Sequence, residues 1–360
     1  GRTYLLNNYV RANNGVDDVT FRGCPGLTIE GNGAAISTRG DFFRDSRSTR
    51  GLAGLRFEDC SNVHVRSLQL IGNVQRMTRA AGLAEAATHG LIFGGCSDVT
   101  IDGVVARHFS ADGLYIRASM AAVGGRYRAS RRFTVKNSRF LFNARQGLSV
   151  IQLRDAVFDG CEFSFTGYID AQSHAGAYGN HAPSAGVDVE PNATPSTARP
   201  VDVLTGNITF RNCRMAGNLG GALLAGNVRG TENTIENVIV QTCTIQSSEV
   251  SPLRYGMIFD APGGAVTGCT FELGEKTIFI GWYPQSRASP TFSGNTVSGT
   301  GAGPARALLI VRPTRGAPVV EGNSFIVTGR AIRGPANPAQ LVQIANPKAV
   351  VRDNQFAAER

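Results

Sequence analysis

Two acidic residues two positions apart, Asp188 and Glu190 in the segment GVDVEPN, have a spacing that could support acid–base chemistry. The segment alternates apolar and polar residues as a half-buried β-strand does, so both carboxyls should share one face, roughly 6.5–7 Å apart. A pair at about 6.5–9.5 Å can serve as acid and base of an inverting glycosidase, and a pair nearer 5–5.5 Å suits a retaining one. Carboxylates are also ordinary on an exposed sheet, so these two are catalytic candidates only if the fold places them in a cleft.

Polar residues at equivalent positions of other strands extend this candidate site. Asp112 precedes the glycine of an earlier strand, where it is either the second catalytic carboxylate or a turn-capping residue. Tyr115 and Arg117 follow on the same face, where the tyrosine could stack on a sugar ring and the arginine could hold a uronate carboxylate. The other candidates for substrate binding on this face are His89, Gln146, Ser149 and Asp260.

Two long interruptions of the strand pattern, residues 167–186 and 191–207, lie on either side of the carboxylate pair. Long loops in a compact fold are usually functional or disordered, so we expect these two loops to flank a cleft. His174 and His181 in the first loop are candidates for substrate contact, with solvated loop histidines as the alternative. Their spacing is not that of metal ligands, and no cysteine or carboxylate completes a set, so no metal and no cofactor are predicted.

The strands that must position these side chains repeat along the chain. A glycine followed by alternating apolar residues forms one unit, and the next unit is an apolar run that ends in a small polar residue. The small polar residue recurs once per copy, at Ser138, Cys161, Cys213, Cys243, Cys269, Asn295, Asn323 and Asn354. A separate series at a different corner contains Cys24, Cys60 and Cys96. Three short strands per copy predict a solenoid of about 11 coils.

The seven cysteines are predicted to be scaffold residues. An odd number excludes a complete disulfide framework. Asparagine and serine occupy the same position in other copies, so neither sulfur chemistry nor metal binding is needed there. The cysteines are predicted to be small buried hydrophobic residues, and the asparagines at the same position can satisfy the backbone groups of a buried turn.

The three-strand coil, the asparagines between the second and third strands and the recurring phenylalanines resemble the right-handed parallel β-helix of the pectate-lyase-like superfamily. The resemblance covers essentially residues 3–357. It implies an all-β, single-domain solenoid over residues 1–360, with a cleft along the outer face of the first strand of each coil. It also implies a secreted or periplasmic protein. The chain opens on GRTYLLNNYV, which has the pattern of a strand already under way, so we expect that an N-terminal segment has been removed.

Several activities are compatible with this resemblance, because a fold alone does not carry function. The carboxylates and the long loops favour a polysaccharide-degrading glycoside hydrolase. A lyase or epimerase acting on a uronate polymer is the alternative, in which Tyr115, His89 or Arg117 would take part and a calcium ion could assist. A non-catalytic glycan-binding adhesin or fibre is the second alternative, and the unequal loops argue for a site instead.

The chain of 360 residues has a formal net charge of +9, carried mostly by arginine. Arginine suits carboxylate, sulfate or phosphate partners, so an anionic polysaccharide is one interpretation and an arginine-rich solvated surface is the other. No basic helix, zinc spacing or aromatic–basic cluster points to nucleic acid. No apolar run approaches the roughly 20 residues of a membrane span. The oligomeric state is not predicted.

Overall fold

A parallel β-helix is formed by the residues that the computed structural model describes, and its sheets wind around one apolar core. The described residues are 3–7, 19–39, 42–44, 52–74, 77–79, 88–124, 126–168, 183–191, 203–226, 235–251, 255–281, 289–300, 307–328 and 341–359. Within these ranges, no helix combines the length and the apolar character that crossing a lipid bilayer requires.

Each coil contributes one strand to each of three sheets, and each strand pairs in parallel with the equivalent strand of the next coil. The front sheet has 11 strands in the described residues: Thr20–Arg22, Leu52–Glu58, Thr88–Gly94, Asp112–Arg117, Gln146–Val150, Ala185–Val189, Leu223–Ala225, Tyr255–Phe259, Thr277–Ile280, Leu309–Val311 and Val342–Ile344. The second sheet has 11 in the same ranges: Thr28–Glu30, Ser61–Arg66, Ser97–Asp102, Ser130–Lys136, Leu153–Asp159, Thr205–Arg211, Ile235–Gln241, Ala265–Thr267, Thr291–Ser293, Val319–Glu321 and Val350–Arg352. The third sheet has 12, again counted over described residues: Thr3–Asn7, Ala35–Arg39, Gln69–Ile71, Val105–Arg107, Arg139–Leu141, Glu162–Ser164, Arg214–Asn218, Thr244–Ser247, Thr270–Glu272, Thr296–Gly299, Ser324–Thr328 and Gln355–Glu359.

Two short strand pairs stand outside these sheets. Phe42–Arg44 pairs in parallel with Met77–Arg79, and Ala122–Val123 pairs antiparallel with Arg126–Tyr127. The three-strand coil and the expected number of coils are confirmed by the front and second sheets.

Side chains alternate along the front strands as the sequence pattern indicates. Leu91 and Phe93 are fully buried in the core, and so are Val187 and Val189 in a later coil. Asp188 lies between the two valines, so the alternation of a strand directs its side chain to the outer face. The packing of its neighbours therefore fixes the direction of this carboxyl.

Aromatic side chains stack from coil to coil inside the helix. The rings of Phe57 and Phe93 lie 4.6 Å apart and nearly parallel, and those of Phe158 and Phe210 lie 4.8 Å apart. Such pairs add about 0.5–1.5 kcal/mol beyond the area they bury. Stacked rings in equivalent positions hold successive coils in one register, which keeps the outward rows of the front sheet aligned.

The two series of small polar residues form ladders at two corners of the coil. In the later series, the side-chain oxygen of Asn295 accepts the backbone N–H of Cys269 at 2.9 Å, and that of Asn323 accepts the N–H of Asn295 at 2.9 Å. In the earlier series, the thiol of Cys96 donates to the carbonyl of Phe57 at 3.4 Å. The seven cysteines are free thiols. Each rung satisfies a backbone group that a buried turn would leave unpaired.

A further ladder lies at the remaining corner, between the third strand of one coil and the front strand of the next. Asn143 accepts the backbone N–H of Phe109 at 3.1 Å, and Asn218 accepts that of Thr166 at 3.0 Å. These two asparagines were not predicted from the sequence, because the segments at this corner differ in length, which hides the repeat.

Loss of one ladder asparagine should destabilise the solenoid strongly. Asn323 accepts hydrogen bonds from the backbone and side-chain nitrogens of Asn295 and donates one to the carbonyl of Phe292. Asn323→Ala leaves these buried groups unpaired, at about 1–3 kcal/mol each, so we expect about 2–4 kcal/mol less stability in urea unfolding. The control is Thr296→Ala at an exposed neighbouring position, expected to change stability by less than about 0.5 kcal/mol. Equal stability of the two variants would show that the ladder does not stabilise the turns.

Candidate functional site

One outward row of the front sheet runs through the candidate site, and we call it the central row. Strand pairing aligns its members across the coils: Arg56, Ile92, Tyr115, Ser149, Asp188, Leu224, Ile258, Phe279, Ile310 and Gln343. Neighbouring members are one strand spacing apart, about 4.8 Å. The row is largely polar as far as Asp188 and mainly apolar beyond it.

Asp188 supplies the carboxyl of this row, and its pKa is shifted from the ordinary value. Its residue is 5% exposed, and the side-chain amide of Gln146 donates a hydrogen bond to its Oδ2. Burial raises the pKa of Asp188 well above its usual range, and the negative charges of Glu190 and Asp112 raise it further, while Arg145 and the Gln146 hydrogen bond oppose the shift. The carboxyl therefore keeps its proton to a higher pH than an ordinary aspartate does.

Glu190 follows the strand of Asp188 directly. Its backbone N–H donates to the carbonyl of Val150 at 2.9 Å, and its side chain is half-buried. Its charge is close enough to contribute the second-largest share of the rise in the pKa of Asp188. The two carboxyls are thus coupled electrostatically, as an acid and its partner need to be. Their separation, and with it the choice between inverting and retaining chemistry, stays a prediction.

Asp112 lies behind this pair in a buried position. The residue is 0% exposed, and its Oδ2 lies 3.2 Å from Nη1 of Arg145 and 3.2 Å from Nδ1 of His89. The ring of His89 stacks on that of Tyr115, with centroids 5.0 Å apart and an 18° angle between planes. Within the described residues, Nδ1 of His89 forms no hydrogen bond, so Asp112 contacts the imidazole without fixing its orientation. The rings of His89 and Tyr115 pack face to face on adjacent strands, the nearer of which is two strands before the acid.

Gln146 and Ser149 are also buried, at 0% and 1% exposure. Gln146 directs its amide nitrogen to Asp188, and its Oε1 finds no hydrogen-bond partner among the described residues. Within the same ranges, the hydroxyl of Ser149 likewise has none. Ser149 is the strand neighbour of both Tyr115 and Asp188, so it lies between these two residues on the outer face of the sheet.

Arg117 is engaged with another side chain. Its Nη2 lies 2.5 Å from Oε1 of Glu58, two coils away, and its Nη1 donates to the carbonyl of Ala118 at 2.8 Å. Gly94 lies between the two coils, and a Cβ there would meet both the Glu58 carboxylate and the Arg117 guanidinium within 2.8 Å. Burial raises the pKa of Glu58 even though Arg117 and Arg56 lower it. The expected uronate contact of Arg117 would therefore compete with a buried ion pair.

Asp260 and Tyr255 mark the downstream side of Asp188. Asp260 is 0% exposed, and its backbone N–H donates to the carbonyl of Ala225 at 2.7 Å. Burial raises the pKa of Tyr255, and the charge of Asp188 adds to the rise, so this ring lies near the acid. Sequence reasoning missed Tyr255 and Glu58, and it gave Arg145 only as a residue that either contacts ligand or ends a turn. Each is the first or last residue of a front strand or adjoins one, where the alternating pattern carries no signal.

Some predicted features lie outside the described residues. His174, His181 and most of the two loops at 167–186 and 191–207 belong to this group, as residues 169–182 and 192–202 are not described. In the part of the chain that is described, no group of three His, Cys, Asp or Glu side chains is arranged to hold a metal ion. Calcium binding by a lyase therefore stays a prediction.

Comparison with known proteins supports the fold. The sequence profile of the family described as "Right handed beta helix region" matches residues 126–356. Similar solved structures include a mutant tailspike protein of E. coli bacteriophage HK620 in complex with a hexasaccharide, at TM-score 0.51 and 14% identity over 98% of this chain and 57% of that chain. The A-module of Azotobacter vinelandii mannuronan C-5 epimerase AlgE6 gives a TM-score of 0.47 at 15% identity, over 99% of this chain and 89% of that chain. An alginate lyase from Paenibacillus sp. gives a TM-score of 0.47 at 12% identity, over 92% of this chain and 89% of that chain. No curated protein matches the sequence.

Proposed function

This chain belongs to the right-handed β-helix family, and from that premise and the front-sheet geometry we propose that it is a glycan-degrading enzyme, a glycoside hydrolase. The observation that carries the proposal is Asp188, a buried carboxyl with a raised pKa beside a second carboxylate, Glu190. A buried carboxyl with a raised pKa next to a second carboxylate is the arrangement by which hydrolases supply a general acid. Similarity to solved structures at these identities supports the fold alone, so the argument depends on the site.

The two carboxyls divide the reaction between them. Asp188 donates its proton to the glycosidic oxygen as the bond from that oxygen to the anomeric carbon breaks. Glu190 either deprotonates the water that attacks the anomeric carbon or attacks that carbon itself, depending on the separation of the carboxyls. Gln146 holds the Asp188 carboxyl in place through its hydrogen bond.

The residues upstream of Asp188 position the sugar. Tyr115, which is half-buried and packs against His89, offers an aromatic contact for the apolar face of a sugar ring. The buried hydroxyl of Ser149 and the Oε1 of Gln146 offer polar atoms for hydroxyl groups of the substrate. Arg145 neutralises part of the charge of Asp112 and so limits the negative charge beneath the acid.

Incubation with a panel of neutral and uronate polysaccharides tests the proposal. New reducing ends without ultraviolet absorbance from an unsaturated product indicate hydrolysis, which is the expected result. Absence of new reducing ends with every polysaccharide of a broad panel would contradict it. Asp98→Asn on the second sheet, where Asp98 pairs with Arg132 on the surface, is a suitable control and should cleave as the wild type does.

Elimination or epimerisation on a uronate polymer is the second candidate function. The observation in its favour is the His89 Nδ1 atom 3.2 Å from Asp112, in a ring that stacks on Tyr115. An imidazole close to a carboxylate could abstract the proton beside a uronate, with the tyrosine as proton donor. This reaction would give unsaturated or epimerised products in the same panel.

A non-catalytic glycan-binding protein would bind a polysaccharide of the panel and form no product from it. The secreted or periplasmic location of the protein stays a prediction.

A further inference from the structure

The downstream half of the central row is apolar, although it lies on the outer face of the sheet. Strand pairing leads from Asp188 to Leu224, Ile258, Phe279 and Ile310 in turn. Phe279 is 6% exposed, and the other three apolar residues are half-buried. Core-facing positions of the same strands already supply the apolar packing of the core, and a contiguous apolar row on the outer face is a feature of ligand-binding grooves. We call these four residues the apolar ridge, which spans three strand spacings, about 14 Å.

The apolar ridge begins on the strand next to Asp188, so a ligand lying across the acid would continue over it. Tyr255 flanks its start. A Cβ at Gly221 would lie 3.1 Å from Leu224 Cδ2 and 3.1 Å from two ring atoms of Tyr255. Glycine at this position therefore allows the tyrosine ring and the first ridge residue to approach each other beside the acid.

The charges around the acid disfavour an anionic ligand. Arg117 is 2.5 Å from Glu58, and Arg145 is 3.2 Å from Asp112, so each of these guanidinium groups is already offset by a carboxylate. Glu190 adds a negative charge beside the acid. A uronate that paired with Arg117 or Arg145 would have to break an ion pair that is largely buried.

One guanidinium lies at the far part of the apolar ridge. The Cζ atom of Arg312 is 4.7 Å from the centroid of the Phe279 ring. Stacking on an aromatic face is a favourable use of an arginine. If a negatively charged sugar were bound along the ridge, Arg312 is the residue that would pair with it. Replacing Arg312 would then weaken the binding of a charged ligand and leave the binding of an uncharged ligand unchanged.

We propose that the apolar ridge binds the sugar residues on one side of the scissile bond, and that the substrate is an uncharged glycan with apolar substituents there, such as deoxy or N-acetyl methyl groups. The position of the scissile bond rests on the proposed function. Leucine and isoleucine side chains contact methyl groups and the C–H faces of sugar rings. Loss of one such apolar contact changes specificity by about 10-fold or more.

Binding to an inactive protein tests the substrate class separately from turnover. Asp188→Asn is titrated by calorimetry with neutral, deoxy- and N-acetyl-containing and uronate oligosaccharides. We expect binding of uncharged oligosaccharides with apolar substituents in preference to uronates, about 10-fold weaker binding after Ile258→Thr is added, and no change after Arg312→Gln. The matched control is Ile239→Thr, an equivalent half-buried outward isoleucine on the second sheet, which should bind as the parent does.

Four results would overturn the inference. They are tighter binding of uronates, loss of binding with Arg312→Gln, equal affinities of the Ile258→Thr and Ile239→Thr proteins, and absence of binding to every oligosaccharide. Ile310→Thr, two strands further along the ridge, repeats the test if Ile258→Thr does not fold, as judged by its thermal transition. Failure of the proposed function has a different signature, because the wild type would then bind the uncharged glycan along the ridge and leave it uncleaved.

Discussion

Replacing Asp188 by asparagine should reduce glycan hydrolysis by about 1,000-fold, because the variant has no proton to give to the leaving oxygen. Asparagine has nearly the same shape, and its side-chain oxygen can still accept the hydrogen bond from Gln146. The fold should therefore persist, which the thermal transition and far-ultraviolet circular dichroism check. Asp98→Asn serves as the matched control, and full activity of Asp188→Asn would remove this residue from the mechanism.

The same variant should be more stable than the wild type at neutral and alkaline pH. The pKa of Asp188 is higher in the folded protein than in the unfolded chain. Above the ordinary aspartate pKa, about 4, the unfolded state binds fewer protons than the folded state, so the free energy of unfolding falls as pH rises to the raised pKa. Asparagine does not ionise, so this loss disappears. We expect the melting temperature of Asp188→Asn to exceed that of the wild type by about 2 °C or more at high pH, with a smaller difference near pH 4. A pH-independent difference would contradict the raised pKa.

Replacing Glu190 by glutamine should also lower hydrolysis by about 100- to 10,000-fold, because neither a general base nor a nucleophile remains at that position. It has a second consequence for the acid. The charge of Glu190 is the second-largest cause of the raised pKa of Asp188. Without that charge the pKa of Asp188 falls, so the alkaline limb of the pH profile of the residual activity should move to lower pH.

The control for this variant is Glu321→Gln, which removes a surface carboxylate from the second sheet, where it pairs with Arg352. It should leave both the rate and the pH profile unchanged. A Glu190→Gln protein with lost activity but an unmoved alkaline limb would mean that Asp188 is not the group that titrates there.

Much of the scaffold could be predicted from the sequence because its signals are local and repeated. The alternation that buries Val187 and Val189 is visible in five residues, and it fixes the outward direction of Asp188. The ladder of Asn295 and Asn323 recurs at one point of each coil, so its position in the turn follows from alignment of the copies.

The electrostatics of the site could not be predicted in the same way. The ion pair of Arg117 with Glu58 joins residues 59 positions apart, and it depends on the space left by Gly94. The burial of Asp188 and Asp112 depends on how neighbouring coils pack, which no single repeat encodes. The alternating pattern gives a face for each side chain but not its partner, so it indicates that Arg117 points outward without revealing its ion pair with Glu58.

The most direct test of the central claim is mass spectrometry of the products formed in water enriched in oxygen-18. Hydrolysis by Asp188 and Glu190 adds one water per cleaved bond, so each new reducing end should carry one heavy oxygen. With Asp188→Asn, the rate of product formation should fall by about 1,000-fold. Cleavage products that contain no added water would contradict the account and indicate elimination. Intact glycan after binding would contradict it as well, and would make the protein a glycan-binding β-helix without this activity.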